Sequence, residues 1–335
     1  MKSADMTRDI VVIGGSMGAI EGLKSLLAEL PPDLPAAFFA VIHTAASSSG
    51  DLGAVLSRRS RLPVRSARTG DVWQPGTLTV APPDHHLLIR NDTVLLSRGP
   101  RENRTRPAID PLFRSAAVCC TTRVIGVILS GYLDDGAAGL AAIKRCGGLT
   151  VVLEPSSTPY SAMPQSALRA VDADHCLPLG GIGELLPRLI GRPAPPPPEV
   201  PEELKLESRM MERSMVGFGR KKAPGKSTAL SCPECGGPLW QMDEEEKIVR
   251  FRCTVGHAYS EENLLASQSE AAEQALWVAL RTLDERARFL RGLAEKARLR
   301  DQSCENWDAK AAETEQHVAA IRKVLLGSDP TSFES

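Results

Sequence analysis

The regular pattern of this 335-residue sequence begins with Asp9-Ile10-Val11-Val12-Ile13-Gly14-Gly15-Ser16-Met17-Gly18-Ala19-Ile20. The apolar, β-branched half of this stretch predicts a buried strand, and leucines at helical spacing follow its glycines up to Leu30. Further buried-type strands are predicted at residues 37–42, 124–129 and 149–153, with helical patterns between them. Continuous apolar strands that alternate with helices predict an α/β fold, a doubly wound and mostly parallel sheet with helices on both faces.

Two segments depart from this pattern. Residues 76–97 contain short alternating runs broken by Pro-Pro-Asp and Asn-Asp, which predict an antiparallel excursion at the edge of the sheet. A proline run begins at Pro195 and predicts a spacer that ends the α/β domain. The predicted organisation is as follows: an α/β domain at 8–190, a proline-rich and basic linker at 191–227, a cysteine-containing module at 228–260 and a helical region at 261–326.

The composition excludes several classes of protein. The chain has 40 basic and 41 acidic residues, and aromatic residues make up only 4% of it, so nucleic acid is not an expected partner. No apolar run reaches the roughly 18 residues of a membrane span, and we expect no membrane insertion. The first residues lack the apolar segment of a secretory signal, and the expected location is the cytoplasm.

Gly14-Gly15-Ser16-Met17-Gly18 matches the G-x-S-x-G pattern between a strand and a helix. Such a turn exposes a nucleophilic serine above the sheet edge, and the helix N-terminus offers N–H groups to a developing oxyanion. The alternative is a glycine turn that binds phosphate in a nucleotide-binding domain. That alternative predicts an acidic residue at the end of the second strand, where this sequence has His43.

His43 follows the second predicted strand, and Asp134 and Asp135 follow the third. Because the carboxyl ends of parallel strands meet at one edge of a sheet, these side chains are expected close to Ser16. A Ser-His-Asp triad needs one carboxylate to orient the imidazole. His43 taken alone also fits a structural role, and one of the two aspartates also fits an N-cap of the next helix.

Residues 8 to about 190 resemble the catalytic domain of CheB-type protein-glutamate methylesterases. The family's I-G-x-S-x-G-G elbow corresponds to residues 13–19, and its histidine-bearing strand end corresponds to residues 41–43. Its G-M-G-x-D-G turn corresponds to residues 131–136, which implies that the triad carboxylate is Asp135. Residues 106–113 are similar to the family's R-P-S-V-D-x-L-F segment.

This resemblance implies hydrolysis of glutamate γ-methyl esters, and deamidation of glutamine, on a methylated chemoreceptor or related signalling protein. Ser16 would be the nucleophile, His43 the base, and the backbone N–H near Met17 an oxyanion donor, with no cofactor for catalysis. We also expect Arg106 and Tyr132 to contact the substrate.

The sequence departs from the family pattern around the elbow and turn. Met17 replaces the usual threonine, Ala19 a glycine, and Tyr132-Leu133 the usual Met-Gly. Because the first predicted strand begins at residue 9, we do not expect the family's receiver domain in this chain. The alternative is a signalling scaffold or adaptor with a weakly active esterase-like domain and a partner-binding tail, and a nucleotide-binding enzyme is a distant third.

Four residues have the spacing of tetrahedral zinc ligands: Cys232, Cys235, Cys253 and His257. We expect a structural zinc ion in a small ribbon-like module, with a hairpin at 246–252. A redox C-x-x-C and a disulfide are the alternatives. Cys119, Cys120, Cys146 and Cys176 are expected in the core.

Leucines at helical spacing after residue 260 predict two helices, ending near Leu299 and Leu326. They are expected either to form a hairpin that packs on the zinc module or to self-associate or bind a partner as a coiled coil.

Overall fold

A computed structural model describes residues 6–43, 51–212, 225–242 and 249–327. In the first two of these ranges the strands are β1 Ile10–Gly15, β2 Ala37–Ile42, β3 Val64–Ser66, β4 Leu78–Val80, β5 His86–Arg90, β6 Thr93–Ser97, β7 Val124–Ile128, β8 Leu149–Leu153 and β9 His175–Leu177. Seven of them form a sheet in the order β3-β4-β2-β1-β7-β8-β9, and every pairing in it is parallel. β1 is therefore central.

Helices cover both faces of this sheet, with bounds α1 Ala19–Glu29, α2 Leu52–Ser57, α3 Ile109–Cys120, α4 Ala137–Arg145, α5 Ala162–Ala170, α6 Leu179–Leu189 and α7 Glu202–Glu212. Successive side chains of a strand point to opposite faces. Val11 and Ile13 accordingly lie in the core that contains α1 and α6, whereas Ile10 and Val12 lie in the core that contains α3, α4 and α5. The predicted doubly wound α/β fold is confirmed.

The prediction for residues 76–97 is wrong in part. β5 and β6 form the expected antiparallel pair, but β4 lies between β2 and β3 as a parallel strand of the main sheet. Its central residue, Thr79, is buried. The alternation of Leu78, Thr79 and Val80 therefore wrongly indicated an antiparallel strand at an edge. Both faces of this short strand are covered.

The core prediction fails for Cys176, which is exposed on the edge strand β9. Cys119 is half-buried, and Cys120 and Cys146 are buried as expected. Within the segment predicted as a linker, the chain forms the helix α7 at Glu202–Glu212. α7 buries Leu204 and Met211.

The cysteine-containing segment forms an antiparallel sheet of β10 Gly225–Ser231, β11 Pro238–Met242, β12 Arg250–Cys253 and β13 Ala258–Ser260, in that order. The predicted hairpin at 246–252 is described only from residue 249, where β12 pairs with both neighbours. Its earlier residues lie outside the described ranges.

The chain divides into one compact unit through Leu264 and a second from Leu265. Two helices follow the last strand: α8 Glu261–Arg298 and α9 Glu305–Gly327. Within the second unit, ion pairs join Arg291 to Glu315 and Arg298 to Asp308, so the two helices form a hairpin. None of the described helices combines the length and apolar character needed to cross a membrane.

Candidate active site

Ser16 and His43 lie at the carboxyl ends of adjacent strands. β1 and β2 pair in register up to Gly15 and Ile42, and the N–H of His43 donates to the carbonyl of Gly15 at 3.0 Å. Ser16 and His43 are the next residues on each strand. Because neighbouring strands lie about 4.8 Å apart, the two residues leave the sheet side by side.

Small residues shape the turn around Ser16. Gly18 begins α1 with φ 77°, a left-handed conformation that favours glycine. A Cβ atom at Gly131 would lie 2.8 Å from the Cβ of Ser16, so only glycine fits there. The N–H of Ser16 donates to the carbonyl of Ser130 at 2.9 Å. In the described ranges no acceptor contacts the N–H of Met17, which leaves it available to an oxyanion.

Asp135 contacts the imidazole of His43 directly. Its Oδ2 lies 2.7 Å from His43 Nε2, and the Asp135 side chain is almost fully buried. An ionised carboxylate only accepts hydrogen bonds, so Nε2 carries the proton and donates it. In neutral His43 the lone pair is therefore on Nδ1. The nitrogen free to accept a proton from Ser16 is Nδ1.

The surroundings of Asp135 keep it ionised. Burial opposes its charge, but the hydrogen bond from His43 and three further donors outweigh burial, and the pKa of Asp135 falls below its ordinary value. Those donors are the N–H groups of Ile109 and Asp110 and the amide of Asn103. Ile109 and Asp110 form the first turn of α3, so a helix N-terminus faces the carboxylate.

Neither aspartate caps α4, which begins after Gly136 without a side-chain cap. Asp134 instead accepts hydrogen bonds from Ser260 Oγ, at 2.7 Å, and from the amide of Asn263. Burial is the main reason that the pKa of Asp134 is raised to about 6. The two neighbouring carboxyl groups therefore have pKa values shifted in opposite directions.

Arg106 contacts Asp84 and the loop before α3. Its guanidinium donates to Asp84 Oδ1 at 2.6 and 2.9 Å and to the carbonyl of Gly99 at 2.7 Å. These contacts hold the loop before α3. A contact of Arg106 with substrate stays a prediction.

Tyr132 and Met17 are about half exposed next to the elbow. The ring of Tyr132 packs edge-on against Tyr160, with centroids 5.5 Å apart, and the N–H of Gly131 donates to the Tyr160 carbonyl. Exposed apolar side chains thus line the rim beside Ser16. A substrate contact of Tyr132 is untested.

Sequence reasoning missed three polar residues around the triad: Asn103, Thr105 and Asp110. Thr105 Oγ1 lies 3.4 Å from His43 Nε2, and Asn103 bridges Asp110 and Asp135. Burial, followed by the charge of Asp135, raises the pKa of Asp110 well above its ordinary value. The only available signal was the segment 106–113, which contains Asp110 and closely follows Asn103 and Thr105.

The sequence model of the CheB methylesterase family matches residues 11–186 of the chain. This range contains Ser16, His43 and Asp135. The chain belongs to the CheB methylesterase family.

Relatives of this CheB-family chain match the same region. A Leptospira interrogans protein, provisionally named a protein-glutamate methylesterase/protein-glutamine glutaminase, is 39% identical over 185 residues, which are 55% of this chain and 96% of the relative. Protein-glutamate methylesterase/protein-glutamine glutaminase 2 of Methanosarcina mazei is 34% identical over 198 residues, 57% of this chain and 54% of the relative. The match thus spans about half the length of the Methanosarcina protein.

A solved structure also resembles this part of the chain. The CheB methylesterase catalytic domain of Thermotoga maritima is 32% identical, with a TM-score of 0.52, and the match covers 55% of this chain and all of that domain. The cysteine-containing sheet follows the residues that the family model covers.

In that sheet the structure brings together the four predicted metal ligands: Cys232, Cys235, Cys253 and His257. Their donor atoms all lie within 4.8 Å of one another. Cys235 Sγ is 3.7 Å from Cys253 Sγ, close to the roughly 3.8 Å expected for two thiolates on one tetrahedral zinc ion. His257 Nδ1 lies 3.5 Å from Cys253 Sγ. This set could hold a metal ion.

The surroundings of the cluster also fit a metal. The second ring nitrogen of His257, Nε2, lies 3.3 Å from Glu234 Oε2, which is the usual carboxylate partner of a metal-bound histidine. Gly236 and Gly256 have positive φ angles in the two turns that present the thiols. The two turns therefore bring the donor atoms together.

Proposed function

We propose that this chain is a protein-glutamate methylesterase that hydrolyses glutamate γ-methyl esters on chemoreceptors or related signalling proteins and deamidates glutamine there. The catalytic domain is residues 8–190 in this proposal, the linker 191–227, the zinc module 228–260 and the helical region 261–326. One observation carries the proposal: the imidazole of His43 is bound to Asp135 through Nε2 at the strand end next to Ser16.

Ser16 Oγ attacks the carbonyl carbon of the γ-ester while its proton passes to His43 Nδ1. The imidazolium is stabilised by Asp135 and returns the proton to the methoxy oxygen, so that methanol leaves and an acyl-serine remains. Water then attacks the acyl-serine with the same base, which releases glutamate and restores Ser16. In deamidation the leaving group is ammonia, and the remaining steps are identical.

The N–H of Met17 at the start of α1 stabilises the negative oxygen that develops in both steps. Tyr132 and the side chain of Met17 form the apolar rim on which a receptor helix lies, and Arg106 holds the loop at its side. This assignment is supported by the exposure of Tyr132 and Met17 next to Ser16.

The metal in the proposal is zinc, held by Cys232, Cys235, Cys253 and His257. All four positions of a tetrahedral ion are filled by protein, so zinc would supply structure and leave no open position for chemistry. The catalytic steps need no cofactor.

Ser16→Ala tests the function. With a receptor fragment methylated by a receptor methyltransferase, the variant is expected to release methanol at less than about one-thousandth of the wild-type rate. Ser157→Ala is the matched control, because this exposed serine follows β8 and its hydroxyl donates to the carbonyl of Glu154. Wild-type release by Ser16→Ala would refute the mechanism, and loss in both variants would refute the role of Ser16.

A scaffold function is the second candidate, because α8 exposes Val278 and Phe289 by more than half. Purified protein that hydrolyses neither methylated receptor nor p-nitrophenyl acetate, yet self-associates in sedimentation analysis through residues 265–335, would favour it. Self-association through the C-terminal helices is otherwise untested.

A further inference from the structure

The loop before α3 contacts the cysteine-containing sheet of β10 to β13, which is the metal module. The N–H of Ala258 in β13 donates to the carbonyl of Arg101 at 3.3 Å, and the N–H of Asn103 donates to the carbonyl of Ala258 at 2.9 Å. Glu102 and Ala258 form a parallel bridge. Residues 101–103 of the α/β domain therefore pair with the strand β13 through an isolated parallel bridge.

Asn103 connects this strand to the triad. The N–H of Ser260 donates to Asn103 Oδ1 at 3.1 Å, and Asn103 Nδ2 donates to Asp135 Oδ1 and to Asp110 Oδ2, both at 2.9 Å. A backbone N–H is only a donor, so the oxygen of the amide must face Ser260. That contact fixes which end of the amide faces Asp135.

The backbone at this point is strained. Asn103 has φ 48° and Arg104 has φ 68°, both in the left-handed region. Such conformations cost of order 1 kcal/mol or more per residue and persist only where surrounding contacts hold them. Ala258 and Ser260 of the module hold the backbone and the amide oxygen of Asn103, while Asp110 and Asp135 hold its amide nitrogen, so the module supplies part of what keeps the loop in this conformation.

Buried charges join the module to the same loop. Glu102 accepts from Arg114 on α3 and from Arg252 on β12 at 2.6 to 2.8 Å, with all three side chains almost fully buried. Burial alone would raise the pKa of Glu102, but the two guanidinium charges hold it below its usual range. Removing one partner from such a group leaves an uncompensated charge in the interior, so the position of β12 is specified strongly.

The two residues through which β12 and β13 contact residues 101–103 are each adjacent in sequence to a metal ligand. Arg252 immediately precedes Cys253, and His257 immediately precedes Ala258. The N–H of Cys253 donates to the carbonyl of His257 at 2.9 Å and closes the turn between them. A metal bound by Cys253 and His257 thus fixes the ends of the two strands that touch residues 101–103.

We propose that metal binding by the four-residue cluster holds Asn103 against Asp135, so that Asn103 is a positioning residue through which the module supports the triad. The proposal rests on the proposed esterase function, in which Asp135 orients His43. Loss of the metal releases β13, frees the Asn103 amide and lets Asp135 turn away from the imidazole. The module is then an internal activator of the α/β domain, and zinc occupancy sets activity.

The test compares the full chain with and without zinc, using p-nitrophenyl acetate, which needs no receptor contact. Removal of zinc by a chelator is expected to lower kcat by between about 10- and 100-fold with little change in KM, and added Zn²⁺ is expected to restore it. Asn103→Gly removes the amide and suits the positive φ angle. Asn103→Gly is expected to bind one zinc ion per chain. Its kcat is expected to equal the low kcat of the zinc-free wild type and not to change when zinc is added or removed.

Asn91→Gly is the matched control, because Asn91 is an exposed asparagine with φ 52° in the same domain. It is expected to keep the wild-type kcat and the wild-type response to zinc. Hydrogen–deuterium exchange gives a readout that needs no activity. Zinc is expected to slow exchange of the amides of Asn103 and Ser260 in the wild type, and in Asn103→Gly the amide of Ser260 is expected to exchange faster.

Two kinetic outcomes overturn the proposal: a kcat that does not change with zinc, or effects of zinc and of Asn103→Gly on kcat that multiply instead of overlapping. Unchanged exchange at Asn103 on zinc binding would also overturn it. If the wild type hydrolyses no ester while zinc still protects Asn103 and Ser260 from exchange, the proposed function fails and the contact between module and loop stands.

Discussion

The triad and the metal cluster obtain their geometry in different ways. Ser16, His43 and Asp135 lie at the ends of strands in a large sheet that has a buried core on each face. The cluster lies in a four-stranded sheet whose core has six buried side chains among the described residues, two of which are Cys232 and Cys253 themselves. In the first case the fold positions the chemistry. In the second, metal binding by the ligands must supply part of the stability of the fold.

This difference means that the two sites are expected to fail differently. A triad substitution removes a step of the reaction and leaves the sheet folded. A ligand substitution removes the interactions that keep the module ordered, and the loss then reaches the triad through Asn103. Each of the following experiments tests one side of this contrast.

Metal removal is expected to have the largest effect. Binding of zinc to small sites contributes about 10 kcal/mol or more of folding free energy, so the chelated module is expected to unfold while the α/β domain stays folded. Limited proteolysis checks this: new cleavage is expected in 225–264 and in the loop at residues 101–104 that contacts the module, and none in the strands and helices of 51–190. Cys235→Ser should reproduce the pattern, and Cys176→Ser, an exposed cysteine of β9, should not. An intact chelated module would show that its own core suffices.

Glu102→Gln is expected to lower the free energy of unfolding by about 3 to 5 kcal/mol, because Arg114 and Arg252 lose one of the two buried carboxylates, Glu102 and Glu207, that contact them. Chemical denaturation measures the change. Glu203→Gln is the control, since its ion pair with Arg145 is solvent-exposed and worth less than about 1 kcal/mol. Equal effects of the two substitutions would mean that the buried charges do not hold the module in place.

Asp134→Asn is expected to change the pH dependence of stability. The pKa of Asp134 is raised from 3.8 to about 6, so between these values the folded state binds more protons than the unfolded state. Stability is therefore lost as pH rises through this window, by about 3 kcal/mol in total for a difference of about two pH units. The variant should lack this loss when unfolding is compared at acidic and neutral pH.

Asp84→Asn is the contrasting control for that experiment. The hydrogen bond from Arg106 lowers the pKa of Asp84, so the stability that Asp84 contributes is lost as pH falls. The two variants are expected to differ from the wild type at opposite ends of the pH range. The same dependence of the free energy of unfolding on pH in both variants would contradict the assignment of Asp134 as a carboxyl group with a raised pKa.

Tyr132→Ala is expected to have the smallest effect. Loss of this exposed ring removes apolar contact with a protein substrate and is expected to raise KM about 5-fold, or about 1 kcal/mol, with kcat nearly unchanged. KM for p-nitrophenyl acetate should not change. Val72→Ala, equally exposed but in another loop, is the control. A fall in kcat instead would place Tyr132 with the reacting groups.

The α/β fold was predictable from residues 9–30 and the later apolar runs, because a strand buried on both faces is continuously apolar and a helix repeats every 3.6 residues. Ser16 and His43 were also predictable, since each directly follows such a strand. Short strands were not: three residues such as 78–80 are too few to distinguish a parallel strand from an antiparallel one. The choice of Asp135 over Asp134 needed the family resemblance.

By itself, the sequence determined the strand-end positions of Ser16 and His43 and the four metal ligands, because these depend on local pattern and on spacing along the chain. Only the tertiary structure decided which nitrogen of His43 faces Asp135 and that Asn103 touches both Asp135 and the module. Asn103 and Ser260 are 157 residues apart. Their contact arises where the loop at residues 101–103 meets β13, and no periodicity or spacing in the chain encodes it.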